Sequence, residues 1–150
     1  MKDLQNLHTH STYCDGKDTP EEMIALALAK GFDSVGFSGH SYMSFSPDYS
    51  MSTEGTEEYK KEIKELKKKY SGKIDIFLGI EFEMHSEVEL SGYDYLIGSL
   101  HYFKIDGEYV GFDRPADHVK RVIDEHFGGD GLGFARKYYE KLCELPAFGC

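Results

Sequence analysis

Four short apolar runs in this chain stop at, or just before, a histidine or a glutamate. They are Leu4–His10, Phe32–Ser38 ahead of His40, Ile74–Glu81, and Tyr93–Leu100 ahead of His101. Helical segments separate the first three. Strands that alternate with helices imply an α/β fold built on a parallel sheet or barrel. In such folds the strand ends meet on one side, so imidazoles and carboxylates from distant parts of the chain can share one place. An enzyme with several metal ions needs that arrangement.

The intervening segments carry their own signals. Thr19-Pro20-Glu21-Glu22 is a Thr N-cap, a Pro at the first helical position, and a Glu that completes a capping box. Met23, Leu26, Ala27 and Ala29 continue that helix until Gly31. Glu54–Tyr70 is a charged helix closed by Gly72. Ile74–Glu81 is mostly apolar and reads as a strand buried on both faces. Tyr102–Phe112 turns at Asp106-Gly107, a hairpin signal. Two more helices follow, Ala116–Phe127 and Leu132–Leu145, and Pro146 breaks the second. Pro146–Cys150 reads as the approach to another strand.

The formal net charge of −10 counts against nucleic acid as the main partner, because a phosphate backbone is bound mostly by Lys and Arg. An anionic small substrate remains compatible, since bound divalent ions reverse the local sign. The 150 residues contain no run of eighteen apolar residues, so no membrane helix is expected. The first six residues lack the apolar stretch of a leader peptide. Three cysteines, Cys14, Cys143 and Cys150, do not make a disulfide framework and point to a reducing cytoplasm.

Each ligand-type residue has two readings. His8 and His10, two apart in a strand, share a face and can bind one ion at about 2.0–2.2 Å, or form a partly buried polar strand end. Asp15, ahead of Gly16, suits a turn as well as a metal. His40 follows Ser38-Gly39 and is either a ligand or a buried structural histidine. Glu81 is the sharpest, because a carboxylate ending an apolar strand needs a cation or a hydrogen-bonded partner. His101 repeats the pattern after Leu100. Glu83 and His85 read as solvent-exposed rim, Cys143 as core, and His118, His126, Lys104 and Arg114 as surface. Lys60–Lys69 reads as a solvated helix face.

Taken together, His8-Thr9-His10-Ser11-Thr12-Tyr13-Cys14-Asp15-Gly16, Gly36-Phe37-Ser38-Gly39-His40-Ser41, Gly79-Ile80-Glu81 and Ile97-Gly98-Ser99-Leu100-His101-Tyr102 resemble the PHP (polymerase and histidinol phosphatase) family, in its histidinol-phosphatase branch. The resemblance implies a distorted (β/α)7 PHP barrel, of which residues 1–150 supply roughly the first half as one phosphoesterase domain. It implies two or three divalent ions, Zn, Mn or Fe. One would be held by His8, His10 and Glu81; a second by Glu81 and His101; a third by Asp15 and His40. Glu81 and His101 would stand at the reacting centre. The implied reaction is hydrolysis of a small phosphate monoester, L-histidinol phosphate to L-histidinol and phosphate, in histidine biosynthesis. The partner would be a small phosphorylated substrate, with no nucleic acid and no membrane, and with a homo-oligomer left open. A PHP nuclease or polymerase-associated phosphoesterase is the second reading, and a non-catalytic metal-binding fragment the third. Members of this branch continue past this length, with a further strand-end His and a late Asp-x-His pair, so the chain is expected to match their N-terminal part.

Overall fold

Ser34–Phe37 (β2) is buried along its whole length and has a parallel neighbour on each side. It pairs with Gln5–Asn6 (β1), in the register Gln5 to Ser34, and with Asp75–Glu83 (β3), in the register Ser34 to Asp75. In the computed structural model, which describes residues 4–150, the sheet runs in the order β1-β2-β3-β4, with β4 at Tyr95–Ser99. Residues 1–3, part of the segment read as lacking a leader, lie outside the described residues. Pro20–Ala29 (α1) connects β1 to β2, and Thr53–Lys69 (α2) connects β2 to β3. These are the strand–helix–strand units expected from the sequence.

The chain divides into two compact units. One comprises the residues up to Phe82 together with Ser86–Ile97; the other comprises Glu83–His85 and Gly98–Cys150. In the first unit the core is made where helix and sheet periodicities agree. Tyr59, Ile63 and Leu66 of α2 recur at spacings of four and three and form one buried face. They join Ile24 and Ala27 of α1, Val35 and Phe37 of β2, and Ile76, Leu78 and Ile80 of β3. The α1 cap forms as read: the Thr19 hydroxyl accepts from the Glu22 amide, and the Glu22 carboxylate accepts from the Thr19 amide. Ser52 caps α2, one residue ahead of the helix start at Thr53.

The first strand is far shorter than the Leu4–His10 span expected, because its later backbone groups are taken by side chains. The Tyr95 hydroxyl donates to the Leu7 carbonyl, the His8 amide donates to Asn6 Oδ1, and the Thr9 amide to Ser38 Oγ. The segment stays tied to β2 through the Ser38 amide, which donates to the Thr9 carbonyl, and the Thr9 hydroxyl, which donates to the Gly36 carbonyl.

The second unit holds the hairpin Tyr102–Ile105 (β5) and Glu108–Gly111 (β6), then Ala116–Phe127 (α3) and Gly131–Leu142 (α4). Asp106 and Gly107 form the two-residue turn with φ of 51° and 89°, the positive values a type I′ turn requires. Phe103 and Phe134 meet each other and both Phe112 and Phe127, tilted or edge-on at centroid distances of 4.6–5.8 Å, and the four rings make the unit's aromatic core. One expectation fails here: Cys143 is exposed, not core. Leu145–Phe148 forms a 3₁₀ turn, with Leu145 buried and the fixed φ of Pro146 suiting its first turn. No helix among the described residues is long and apolar enough to cross a membrane.

Candidate metal centre

Of the side chains that gather in the first unit, all but Asp15 leave the backbone at the carboxyl ends of strands or a few residues past them. His40 and Glu81 extend the β2–β3 pairing by one further parallel bridge. The Glu81 amide donates to the Gly39 carbonyl, and the Ser41 amide to the Glu81 carbonyl. Backbone pairing therefore fixes where both side chains start. Asp15 comes from a tight loop in which the Cys14 and Gly16 amides both donate to the Ser11 carbonyl.

Three imidazoles meet one carboxylate oxygen. Glu81 Oε2 lies 3.0 Å from His8 Nε2, 3.2 Å from His10 Nε2 and 3.4 Å from His40 Nδ1. Asp15 closes the other side, 3.1 Å from His10 Nδ1 and 3.7 Å from His40 Nε2. The His10 and His40 rings are 4.4 Å apart, and Tyr49 lies edge-on to His40 at 4.8 Å. Glu81 is buried with a side-chain exposure of 6%, whereas His8 and Asp15 stand at 53% and 48%. The cluster has a dry floor and a wet rim.

The donor set fits a divalent cation. Ligand atoms placed about 2.0–2.2 Å from a tetrahedral ion lie about 3.3–3.6 Å from one another, which is near the separations around Glu81 Oε2. His8, His10 and Glu81 form one group of donors mutually within 4.8 Å, and His10, Asp15 and His40 a second. Hydrogen bonding alone serves this geometry poorly. His10 faces a carboxylate with each ring nitrogen, and a neutral imidazole has only one N–H to give. The metal-free ring answers by keeping its proton. The Cys14 sulfur, 3.5 Å from Nδ1, and then Glu81 raise the His10 pKa to about 10, against an opposing effect of burial. A bound cation would supply the positive charge that this proton supplies in its absence.

His8, His10, Asp15, His40 and Glu81 are therefore brought together in the first unit. His101 belongs to the second unit, where its ring Nδ1 and its backbone amide both face Glu83 Oε2, at 2.9 and 2.7 Å. Glu83 overturns its reading as exposed rim: β3 continues through it, and it is 1% exposed. The signal was the two-residue period of a strand, which puts Glu83 on the same side as Glu81. His85, half-buried, donates at Nε2 to the Tyr102 carbonyl and so is also less open than a rim residue. His118 bonds the Gly111 carbonyl, while His126, Lys104 and Arg114 are exposed as read.

Known proteins share this architecture. The chain matches the PHP domain model over residues 6–148. It is 30% identical over 150 aligned positions to a Deinococcus radiodurans protein named probable histidinol-phosphatase, covering 93% of this chain and 54% of that protein. It is 31% identical over 135 positions to the histidinol-phosphatase of Bacillus subtilis, covering 77% of this chain and 50% of that protein. Among solved structures, the hisK protein of Listeria monocytogenes superposes with a TM-score of 0.63 at 22% identity, over 76% of this chain and 51% of that one. The histidinol phosphate phosphatase of Lactococcus lactis, solved with zinc, L-histidinol and phosphate, superposes at 0.56 and 24% identity, over 72% and 43%. The chain spans about half the length of the curated relatives it matches. Its fold is accordingly the α/β architecture of a partial PHP barrel, and by the near-complete span of the match the chain belongs to the PHP domain family.

Proposed function

We propose that this chain carries the metal-liganding residues of a cytoplasmic phosphatase that hydrolyses a small phosphate monoester, L-histidinol phosphate, to L-histidinol and phosphate in histidine biosynthesis. The observation that carries the reading is the convergence of His8, His10 and His40 on Glu81 Oε2 at 3.0–3.4 Å. The names of the curated relatives support the substrate. His8, His10, Asp15, His40, Glu81 and His101 are the ligands, for two or three divalent ions. Imidazole mixed with carboxylate suits Zn, Mn and Fe alike, and the zinc in the Lactococcus protein makes zinc the first ion to test.

When bound, such ions polarise phosphoryl oxygens and lower the pKa of water toward about 7. The protein's own contribution is placement and charge. Buried Glu81 holds three imidazoles within hydrogen-bonding range and keeps them from swinging. His8 and Asp15, on the exposed rim, mark the side from which a phosphate enters. In a chain of net charge −10, a loaded cluster would reverse the local sign and so attract an anion there. Glu81 and His101 are the residues we place at the reacting centre.

The test is elemental analysis of the purified chain, followed by phosphate release from histidinol phosphate alongside cleavage of single-stranded DNA. Bound zinc, manganese or iron with monoester hydrolysis is the expected result. A chain that binds none of these ions removes the reading, and DNA cleavage without monoester hydrolysis replaces it with a nuclease.

A further inference from the structure

Glu83 is the most deeply buried carboxylate on β3 and lies outside the ligand set. Its Oε2 receives two groups from one residue, the His101 amide at 2.7 Å and the His101 ring Nδ1 at 2.9 Å. These two contacts decide where the ring proton sits. A backbone amide can only donate, so Oε2 accepts at that contact. An oxygen already placed as acceptor favours the ring nitrogen that faces it as donor, which puts the hydrogen on Nδ1 and leaves the lone pair on Nε2.

We propose that Glu83 is a positioning residue, holding His101 in the Nδ1–H tautomer so that Nε2 is presented as a metal ligand. The proposal rests on the reading of His101 as a ligand. The chemistry is that of a carboxylate–histidine–metal relay, in which the outer carboxylate sets ring orientation and makes the ligating nitrogen more basic. The grip is stronger than a single hydrogen bond. The amide contact fixes the backbone of His101 and the ring contact fixes its side chain, so both rotations that could turn Nε2 away are held by one buried atom. Burial also fixes the carboxylate itself: Glu83 is 1% exposed and cannot exchange its partners for water without opening the unit.

The experiment follows the ring directly. In ¹⁵N-labelled, metal-free full chain, long-range proton–nitrogen correlation reports which nitrogen of His101 carries hydrogen, with H101Q to assign the signals. Wild type is expected to show Nδ1–H alone. E83Q keeps an acceptor oxygen and should keep that tautomer. E83L removes it and should shift the ring toward Nε2–H; matching amide spectra elsewhere confirm that the variant is folded. Zinc is then added. The wild-type Nε2 signal should move, and the zinc affinity read at His101 should fall about 10–100-fold in E83L but stay within a few-fold in E83Q. A wild-type ring protonated at Nε2, or an E83L ring still wholly Nδ1–H, overturns the proposal and leaves the metal centre standing. Zinc that moves the His8 and His10 signals but not His101 shows that Glu83 serves no ligand. Zinc that moves none of them removes the metal reading itself.

Discussion

Replacing Gly79 by alanine should damage the sheet and the metal cluster together. Gly79 lies in the middle of β3, and the ring of Tyr95 lies across it. A Cβ built at Gly79 would stand 2.5 and 2.6 Å from the ring's Cε1 and Cε2, and closer still to Cζ. Ordinary carbon contacts are about 3.5–4.0 Å, so the ring must retreat by roughly an ångström. Gly36 blocks one escape, since it faces the Tyr95 hydroxyl with no Cβ of its own. The retreat also breaks the hydroxyl's bond to the Leu7 carbonyl, next to His8. Overpacking costs about 1–3 kcal/mol and the lost hydrogen bond about 1, so the expected loss is about 2–4 kcal/mol. With a urea slope of about 2 kcal/mol per molar, the midpoint should fall by about 1–2 M. The chain has no tryptophan, so far-UV circular dichroism is the practical signal. Gly79→Ala should cost distinctly less in a Tyr95→Ala background, where the ring is gone. Costs that add within about 0.5 kcal/mol would refute the clash, because independent sites add and touching ones do not.

Glu81→Gln should weaken zinc binding more than Glu83→Gln does, because Glu81 meets three imidazoles and Glu83 one; equal metal content by elemental analysis would contradict this. Raising pH should destabilise the metal-free chain through His10. Its pKa is raised from 6.5 to about 10 in the folded chain, so the stabilisation is complete below 6.5 and lost as pH climbs to about 10; denaturant midpoints in chelator, with a His10→Gln control, test it. Over the same window zinc must displace that proton, so zinc affinity should rise with pH, and proton release on titration should be measurable. Gly16→Ala should lower zinc affinity, because a Cβ there collides with the backbone of His10 and Ser11 and must shift the loop that carries Asp15. Unchanged binding would mean that the loop has slack.

What the sequence made legible was local. Thr19 with Glu22, Asp106 with Gly107, and the apolar run into Glu81 each carry their structural consequence within a few residues, and each appears as read. The same holds for the nearness of His8, His10, His40 and Glu81, whose places at or after the ends of apolar runs are visible in the sequence. What was illegible depends on partners far along the chain. β1 stops at Asn6 because Tyr95, 88 residues from Leu7, takes the carbonyl that a longer ladder would use. Glu83 is buried because His101, 18 residues on, offers two donors to one oxygen. A carboxylate near a strand end can face water or hydrogen-bonding partners, and period two says only which side it leaves from. Cys143 fails for the complementary reason, since an apolar stripe on a helix is core only if another element covers it. The contrast bears on the centre itself. Residue types and strand positions suffice to nominate donors, but whether a nominated histidine offers its lone pair is decided by its other nitrogen. For His101 that decision lies with Glu83, a residue whose sequence neighbourhood marks it as strand and leaves its partner unstated.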